Sequence, residues 1–123
     1  MEVESVESIS AVTLVTLNMA NAVAFYEALG FRLLYGGADA RFTSFRVGEG
    51  YLNLELRSDG GVSGLVWGRV IFWVVDVDAM YERSLAAGFT PATSPSDAVW
   101  GERYFHIRDP DGHELSFARP LTG

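Results

Sequence analysis

The chain has no cysteine and no lysine, two histidines, four prolines and no long apolar run among its 123 residues. Without cysteine, disulfides, thiolate metal sites and cysteine nucleophiles are excluded. No stretch approaches the ~20 apolar residues that a bilayer span needs, so no membrane partner is expected. Residues 1–8 (MEVESVES) are acidic and lack the basic start and apolar centre of a secretion signal, so the expected location is the cytoplasm. The nine basic residues, all arginine, are outnumbered by 16 acids, leaving a net charge of −7. That balance provides no basic patch for phosphates, so no nucleic-acid partner is expected. An acidic field would draw in a cationic ligand, and it also keeps a protein soluble. No Gly-x-Ser-x-Gly, phosphate loop or recognisable Ser/His/Asp spacing is present, so no catalytic residue is assigned.

What is present is an apolar fraction of 49%, enough for a real core. At this length the expectation is one domain over 1–123, small enough that dimerisation would help it. Ile9 to Leu17 is β-branched and reads as a strand. Asn18 stands where a helix N-cap belongs, Ala22, Phe25, Tyr26 and Leu29 follow at helical spacing, and Gly30 supplies the stop. Strands are expected over 31–35, 41–47 and 51–57. Residues 58–68, with four glycines, read as a linker that carries Trp67 as a packing anchor. The order then restarts: a strand over 70–75, Asp76 as N-cap, a helix face of Val77, Met80, Tyr81 and Leu85, Gly88 as stop, and Phe89 entering another strand.

Residues 12–34 lie over 70–92 without a gap at an offset of 58 (70 − 12), cap on cap and glycine stop on glycine stop. Residues 52–56 lie over 113–117 at an offset of 61 (113 − 52). The chain therefore reads as an internal duplication of a βαβββ unit. Module one is expected over 9–57, the linker over 58–68 and module two over 69–119. The end of module two, Trp100 to Arg119, reads as a hairpin whose Asp109-Pro110-Asp111-Gly112 turn needs positive φ at Gly112.

Trp-Gly-x-Arg-x-Phe-x-x-x-Asp-Pro-Asp-Gly-His, together with Phe25-Tyr26-Glu27-Ala28-Leu29-Gly30-Phe31 after the first strand, resembles the vicinal oxygen chelate superfamily. That superfamily holds glyoxalases, extradiol dioxygenases, fosfomycin-modifying enzymes and bleomycin-resistance proteins. The resemblance implies an α+β fold in which two tandem βαβββ modules form a curved mixed sheet around a cleft. It also implies where a metal would sit in metal-dependent members: one inward side chain from the first and one from the last strand of each unit. Carried onto this chain, those positions are Ala11, Glu55, Val70 and Ser116. Alanine and valine cannot coordinate, serine is a poor ligand and Glu55 alone cannot hold a transition metal. No metal and no cofactor are expected. A one-residue slip, bringing Ser10 or Val12 and Arg69 or Ile71 inward, does not restore the set. A lone histidine on a strand, His106, reads more readily as hydrogen-bonded structure than as a ligand, and His113 as part of the exposed hairpin end.

The same parity aims Thr13, Val15, Phe42 or Phe45, Tyr51, Asn53, Glu55, Phe72, Val74, Tyr104, His106 and Ser116 into the cleft, with Trp100 at its rim. It sends Leu52, Leu54, Leu56, Ile71, Trp73, Val75, Leu115 and Phe117 to the sheet–helix core. Of the inward group, Phe42, Tyr51, Asn53, Glu55, Phe72, Trp100, Tyr104 and His106 are the expected ligand-binding residues, an aromatic lining with few polar groups. A carboxylate at Glu55 is costly to bury alone, and so should pair with an arginine, open to water or meet a cation. The character of the set is most similar to the bleomycin-resistance branch. That likeness implies a metal-free protein sequestering an aromatic antibiotic or metabolite, cationic or neutral, as a homodimer with or without strand exchange. A superfamily lyase, isomerase or dioxygenase with a non-standard metal site, or none, is the alternative.

Overall fold

The computed structural model describes residues 9–57 and 69–121; the linker with Trp67 and the acidic start lie outside the described residues. The element order is β1 (Ala11–Thr16), α1 (Met19–Ala28), β2 (Arg32–Tyr35), β3 (Phe42–Val47), β4 (Gly50–Leu56), β5 (Arg69–Trp73), α2 (Val77–Ala86), β6 (Ser96–Asp97), β7 (Glu102–Arg108) and β8 (Glu114–Pro120). Two four-stranded mixed sheets result, ordered β1-β4-β3-β2 and β5-β8-β7-β6. Each is a βαβββ unit, and the fold is the α+β two-module architecture that the duplication implies.

Local chemistry sets the helix starts. Asn18 accepts a hydrogen bond from the Asn21 amide and Asp76 one from the Ala79 amide, each 3.0 Å long, satisfying otherwise unpaired helix donors. The glycine stops Gly30 and Gly88 both hold positive φ, +96° and +90°. On α1 the residues at helical spacing, Ala22, Phe25, Tyr26 and Leu29, are all buried. On α2, Val77, Met80 and Tyr81 of the expected face pack against the core, but the next place is taken by Ser84, fully buried with its hydroxyl donating to the Tyr81 carbonyl at 2.7 Å, while Leu85 is exposed. The expected strand entered by Phe89 shrinks to the two residues of β6. Pro91 and Pro95 lack ladder donors there, and the segment is held instead by the amide of Ala92 on the His106 carbonyl at 2.9 Å.

One core serves both modules. Phe31, just after α1, meets Phe45 of the first sheet at 6.1 Å between ring centroids. It meets Phe72 and Phe117 of the second at 5.1 and 6.3 Å. A polar tie between modules is the Asp109 carboxylate, which is buried. Its Oδ2 accepts from the Tyr26 hydroxyl at 2.7 Å, and its Oδ1 accepts from the amides of Asp111 and His113, both at 2.9 Å. Asp111 Oδ1 takes the Leu17 amide at 2.9 Å, and His113 Nε2 donates to the Val15 carbonyl at 2.7 Å. His113 is therefore docked on the end of β1, not left at a free hairpin tip. The hairpin turn is a latch from module two onto the β1–α1 junction. Gly112 takes φ +88°, as that turn requires.

Burial raises the Asp109 carboxyl above its ordinary value, against hydrogen bonds that lower it, and burial beside that charge keeps the Tyr26 phenol protonated well past its own. Tyr26→Phe is expected to cost about 1.5–3 kcal/mol at neutral pH, the scale of a hydrogen bond to a charged group, read by urea denaturation. A raised carboxyl pKa means that stability is present in acid and lost as pH rises through the folded value. Removing the Tyr26 donor raises that value further, so the loss should shrink as pH falls toward 3.8, the ordinary carboxyl value. A loss that is constant with pH would break the assignment.

Candidate functional site

Strand pairing resolves the open face of each sheet into rows. In module one the rows are Ala11–Tyr51–Arg46, Thr13–Asn53–Ser44 and Val15–Glu55–Phe42. In module two they are Arg69–Glu114–Arg108, Ile71–Ser116–His106 and Trp73–Ala118–Tyr104. The period of two then sends Leu14, Leu52, Leu54 and Phe45 in module one, and Phe72, Phe105, Ile107, Leu115 and Phe117 in module two, to the common core.

Phe42, Tyr51, Asn53 and Glu55 thus share one open face, and Trp100, Tyr104 and His106 lie on the other. Phe72 does not join them: it is 8% exposed and stacks on Phe117 at 5.6 Å. Val70 and Val74 also pack against the core, whereas Ile71 and Trp73 are 59% and 68% exposed and Val75 lies open. The first strand of module two is therefore one residue out of the expected parity. The run V-I-F-W-V-V is apolar on both sides, so neither face is marked; the one available mark was the charge of Arg69, which places the odd positions toward water. The pairing also corrects the second offset. Tyr51 and Glu114 hold equivalent places beside Ala11 and Arg69, an offset of 63 (114 − 51) rather than 61. A shift of two preserves the face, so Ser116 still points to the open side, where His106 covers it.

Module one's polar groups largely satisfy each other. Arg57 Nε donates to Glu55 Oε2 at 2.8 Å, so of the outcomes open to Glu55 the arginine pair is realised. Asn53 Nδ2 donates to the Thr13 hydroxyl at 3.3 Å, and the Arg46 guanidinium lies 4.6 Å from the centre of the Tyr51 ring. Module two carries a continuous stack. Trp100 and Tyr104 are 5.7 Å apart and 29° from parallel, and the Tyr104 and His106 rings are 5.0 Å apart. Trp100 Nε1 is held by Glu102 at 3.2 Å. His106 Nδ1 is 2.7 Å from Ser116 Oγ and Nε2 is 3.4 Å from an Arg69 nitrogen. Arg69 and Arg108 share the Glu114 carboxylate, one on each oxygen, at 3.2 and 3.1 Å. Desolvation and then the Arg69 charge hold the His106 imidazole below its ordinary 6.5. Arg69, Arg108 and Glu114 were absent from the expected site; only pairing across β5, β8 and β7 brings them to His106.

A cavity of about 510 Å³ opens between the modules, walled by Ala11, Val12, Tyr51, Leu52, Arg69 and Ile71 among others. The Trp100–Tyr104–His106 stack lies outside its walls, and Arg69 borders both. The four family metal positions do not fit a metal. Ala11 offers no donor, Val70 packs against the core with Arg69 and Ile71 on the open face instead, Ser116 is committed to His106 and Glu55 to Arg57. Ala11 and Glu55 stand four residues apart along the paired strands, roughly 13 Å at ~3.3 Å per residue. No three His, Cys, Asp or Glu side chains converge among the described residues.

Fold and face together define a two-module α+β protein with open-faced sheets, one of them bearing stacked rings. The chain belongs to the Glyoxalase/Bleomycin resistance protein/Dioxygenase superfamily, whose family model matches residues 8–117. It is 31% identical to TioX from Micromonospora sp. ML1, with 94% of this chain and 100% of that one covered and a TM-score of 0.74. It shares the fold of a bleomycin-binding protein complexed with bleomycin, at 21% identity, 93% and 98% coverage and a TM-score of 0.72. A stretch of 48 residues, 39% of this chain, is 46% identical to an uncharacterized protein of Mycobacterium tuberculosis (strain H37Rv) and spans 28% of that protein. The match thus covers under a third of that relative. No helix among the described residues is long and apolar enough to cross a membrane.

The His106 titration midpoint, followed by NMR of the ring protons, is expected below 6.5, and Arg69→Gln should move it upward. A midpoint insensitive to that substitution would remove Arg69 from the imidazole's surroundings. Protein purified without chelator is expected to carry clearly sub-stoichiometric divalent metal by elemental analysis; a full equivalent would overturn the reading of the donor set.

Proposed function

We propose that the chain binds a planar aromatic small molecule on the open face of module two, and that it sequesters this ligand without metal-dependent chemistry. The observation that carries the reading is the stack of Trp100, Tyr104 and His106, with Trp100 68% exposed. An exposed, ordered ring stack offers a further ring a ready partner, worth about 0.5–1.5 kcal/mol per contact beyond area burial. Phe42, Tyr51, Asn53 and Glu55 share module one's open face, from which Tyr51 borders the cavity between the modules. The shared fold of a protein that binds bleomycin supports a binding role. The poor donor set weighs against the lyase, isomerase or dioxygenase alternative.

Ile71, Trp73 and Val75 form an exposed apolar strip beside the stack, and we assign it to contact with a second copy of the chain. A homodimer would place a second wall over each open face. Sedimentation at micromolar concentration is expected to give twice the chain mass, and Trp73→Glu to give the single chain; a wild-type monomer rules the dimer out.

A thermal-shift screen of planar polycyclic compounds, bleomycin among them, is expected to yield stabilising ligands, because ligands that bind only the folded state raise its stability. Trp100→Ala and Tyr104→Ala should lower the affinity of each about tenfold, the scale of one lost stacking contact. A screen without a ligand, or hits indifferent to both substitutions, would overturn the proposal.

A further inference from the structure

One flank of α2 carries a pattern that neither the family metal positions nor the ring stack uses. Asp76, Ala79, Met80 and Arg83 follow at i, i+3, i+4 and i+7, which places them in one row along the helix. With Leu29 just after α1, and with Trp73 and Val75 at and beyond the end of β5, this row walls a groove of about 400 Å³. Trp73 is 68% and Val75 88% exposed. Apolar side chains left that open beside a groove mark an interaction surface.

The two ends of the row carry opposite charges, and neither is spent within the chain. Asp76 Oδ1 caps α2 on the Ala79 amide, while Oδ2 has no partner among the described residues. Arg83 Nε donates to the Ala28 carbonyl at 2.9 Å, which ties α2 to the end of α1 and fixes the guanidinium. Its two Nη nitrogens lie 3.0 and 3.4 Å from where a Cβ on Gly30 would stand, and they have no acceptor among the described residues. Seven residues of helix hold the charges roughly 10 Å apart at ~1.5 Å per residue, and no ion pair joins them. Reversed, the row matches itself. Two copies of α2 laid antiparallel about a two-fold axis between Ala79 and Met80 bring each Asp76 to Arg83 of the partner subunit. The small Ala79 at the crossing lets the helices approach. Asp78 is turned to the opposite flank, where Arg103 holds it at 2.8 Å. The repulsion between two chains of charge −7 is largely screened beyond ~8 Å at physiological salt.

We propose that this flank is the surface through which two copies of the chain associate. The α2 helices pack antiparallel, Trp73 and Val75 of each copy enter the groove of the other, and an Asp76–Arg83 pair closes each end. The proposal rests on the homodimer assigned to the exposed apolar strip and names the surface that turns face to face. An isologous contact requires this kind of self-complementary patch. Apolar burial supplies the affinity. The exposed ion pairs add little each, but they fix the antiparallel register, because a parallel alignment sets Asp76 on Asp76 and Arg83 on Arg83. Trp73 stands in one row with Ala118 and Tyr104, so the seated partner borders the ring stack.

The chain has no cysteine, so a single introduced thiol reports its own position without background. Ala79→Cys, at the axis, is expected to give a covalent dimer with a short bis-maleimide. Leu85→Cys, exposed on the opposite flank of the same helix, is expected to stay a single chain. In sedimentation equilibrium, Arg83→Glu should weaken the dimer about tenfold, since two carboxylates then meet at each end. Adding Asp76→Asn should restore part of that loss, because asparagine still caps the helix and the repulsion is gone. Damage to the fold by Arg83→Glu would not be mended by Asp76→Asn, so the rescue separates contact from folding. A dimer indifferent to Arg83→Glu, a loss that Asp76→Asn does not reduce, or crosslinking no better at Ala79→Cys than at Leu85→Cys overturns the α2 surface. Each of those results leaves a dimer on the Ile71, Trp73 and Val75 strip standing. A wild-type chain that sediments as a monomer removes the dimer, and this inference with it.

Discussion

The buried carboxylate of Asp109 holds the two halves of the molecule in one arrangement. It gathers the Tyr26 hydroxyl from α1 and two amides of its own turn. Its neighbours Asp111 and His113 fasten the same turn to Leu17 and Val15 at the end of β1. A buried charge of this kind is costly unless fully bonded, and truncating one partner exposes the whole cost. The turn between β7 and β8 is consequently fixed against module one, and with it the strands that carry His106, Glu114 and Ser116. The motif that first suggests the family is here a structural clamp. Its link to function is indirect: it orients the face on which ligand chemistry can occur.

The duplication keeps geometry and lets chemistry diverge. In both modules the first and last strands pair in parallel, and in both the alternate residues face one common core. The open faces have drifted apart. The row Ala11–Tyr51–Arg46 corresponds to Arg69–Glu114–Arg108, and Thr13–Asn53–Ser44 to Ile71–Ser116–His106. Module one spends its polar groups on one another, through Arg57 with Glu55 and Thr13 with Asn53. Module two joins its imidazole to the Arg69 guanidinium beside a line of rings. A protein with a symmetric frame thus presents an asymmetric surface, and that asymmetry directs attention to one sheet.

Much of the frame was legible in the residues. Caps at Asn18 and Asp76, glycines after each helix, the repeat and the closing turn are local signals, because each depends on a few neighbouring residues and elementary backbone geometry. Tyr51, Asn53 and Glu55 were legible too, since polar and apolar residues alternate cleanly in YLNLEL. The strand RVIFW was not. Apolar side chains on both sides of a strand give period two no phase, so Phe72 and Trp73 exchanged their expected places.

What the sequence by itself determined is the pair of βαβββ units, the few donor residues at the four family metal positions and the supply of rings near the closing hairpin. What only the tertiary structure decided is which of those side chains meet. Arg69, Glu114, Arg108 and His106 lie up to 45 residues apart in the chain and become neighbours through strand register. Register is a long-range property, set by how covered faces pack against Phe31 and Tyr26 rather than by any local pattern. The charge of a binding face follows from those encounters, and a net charge counted along the chain does not contain it.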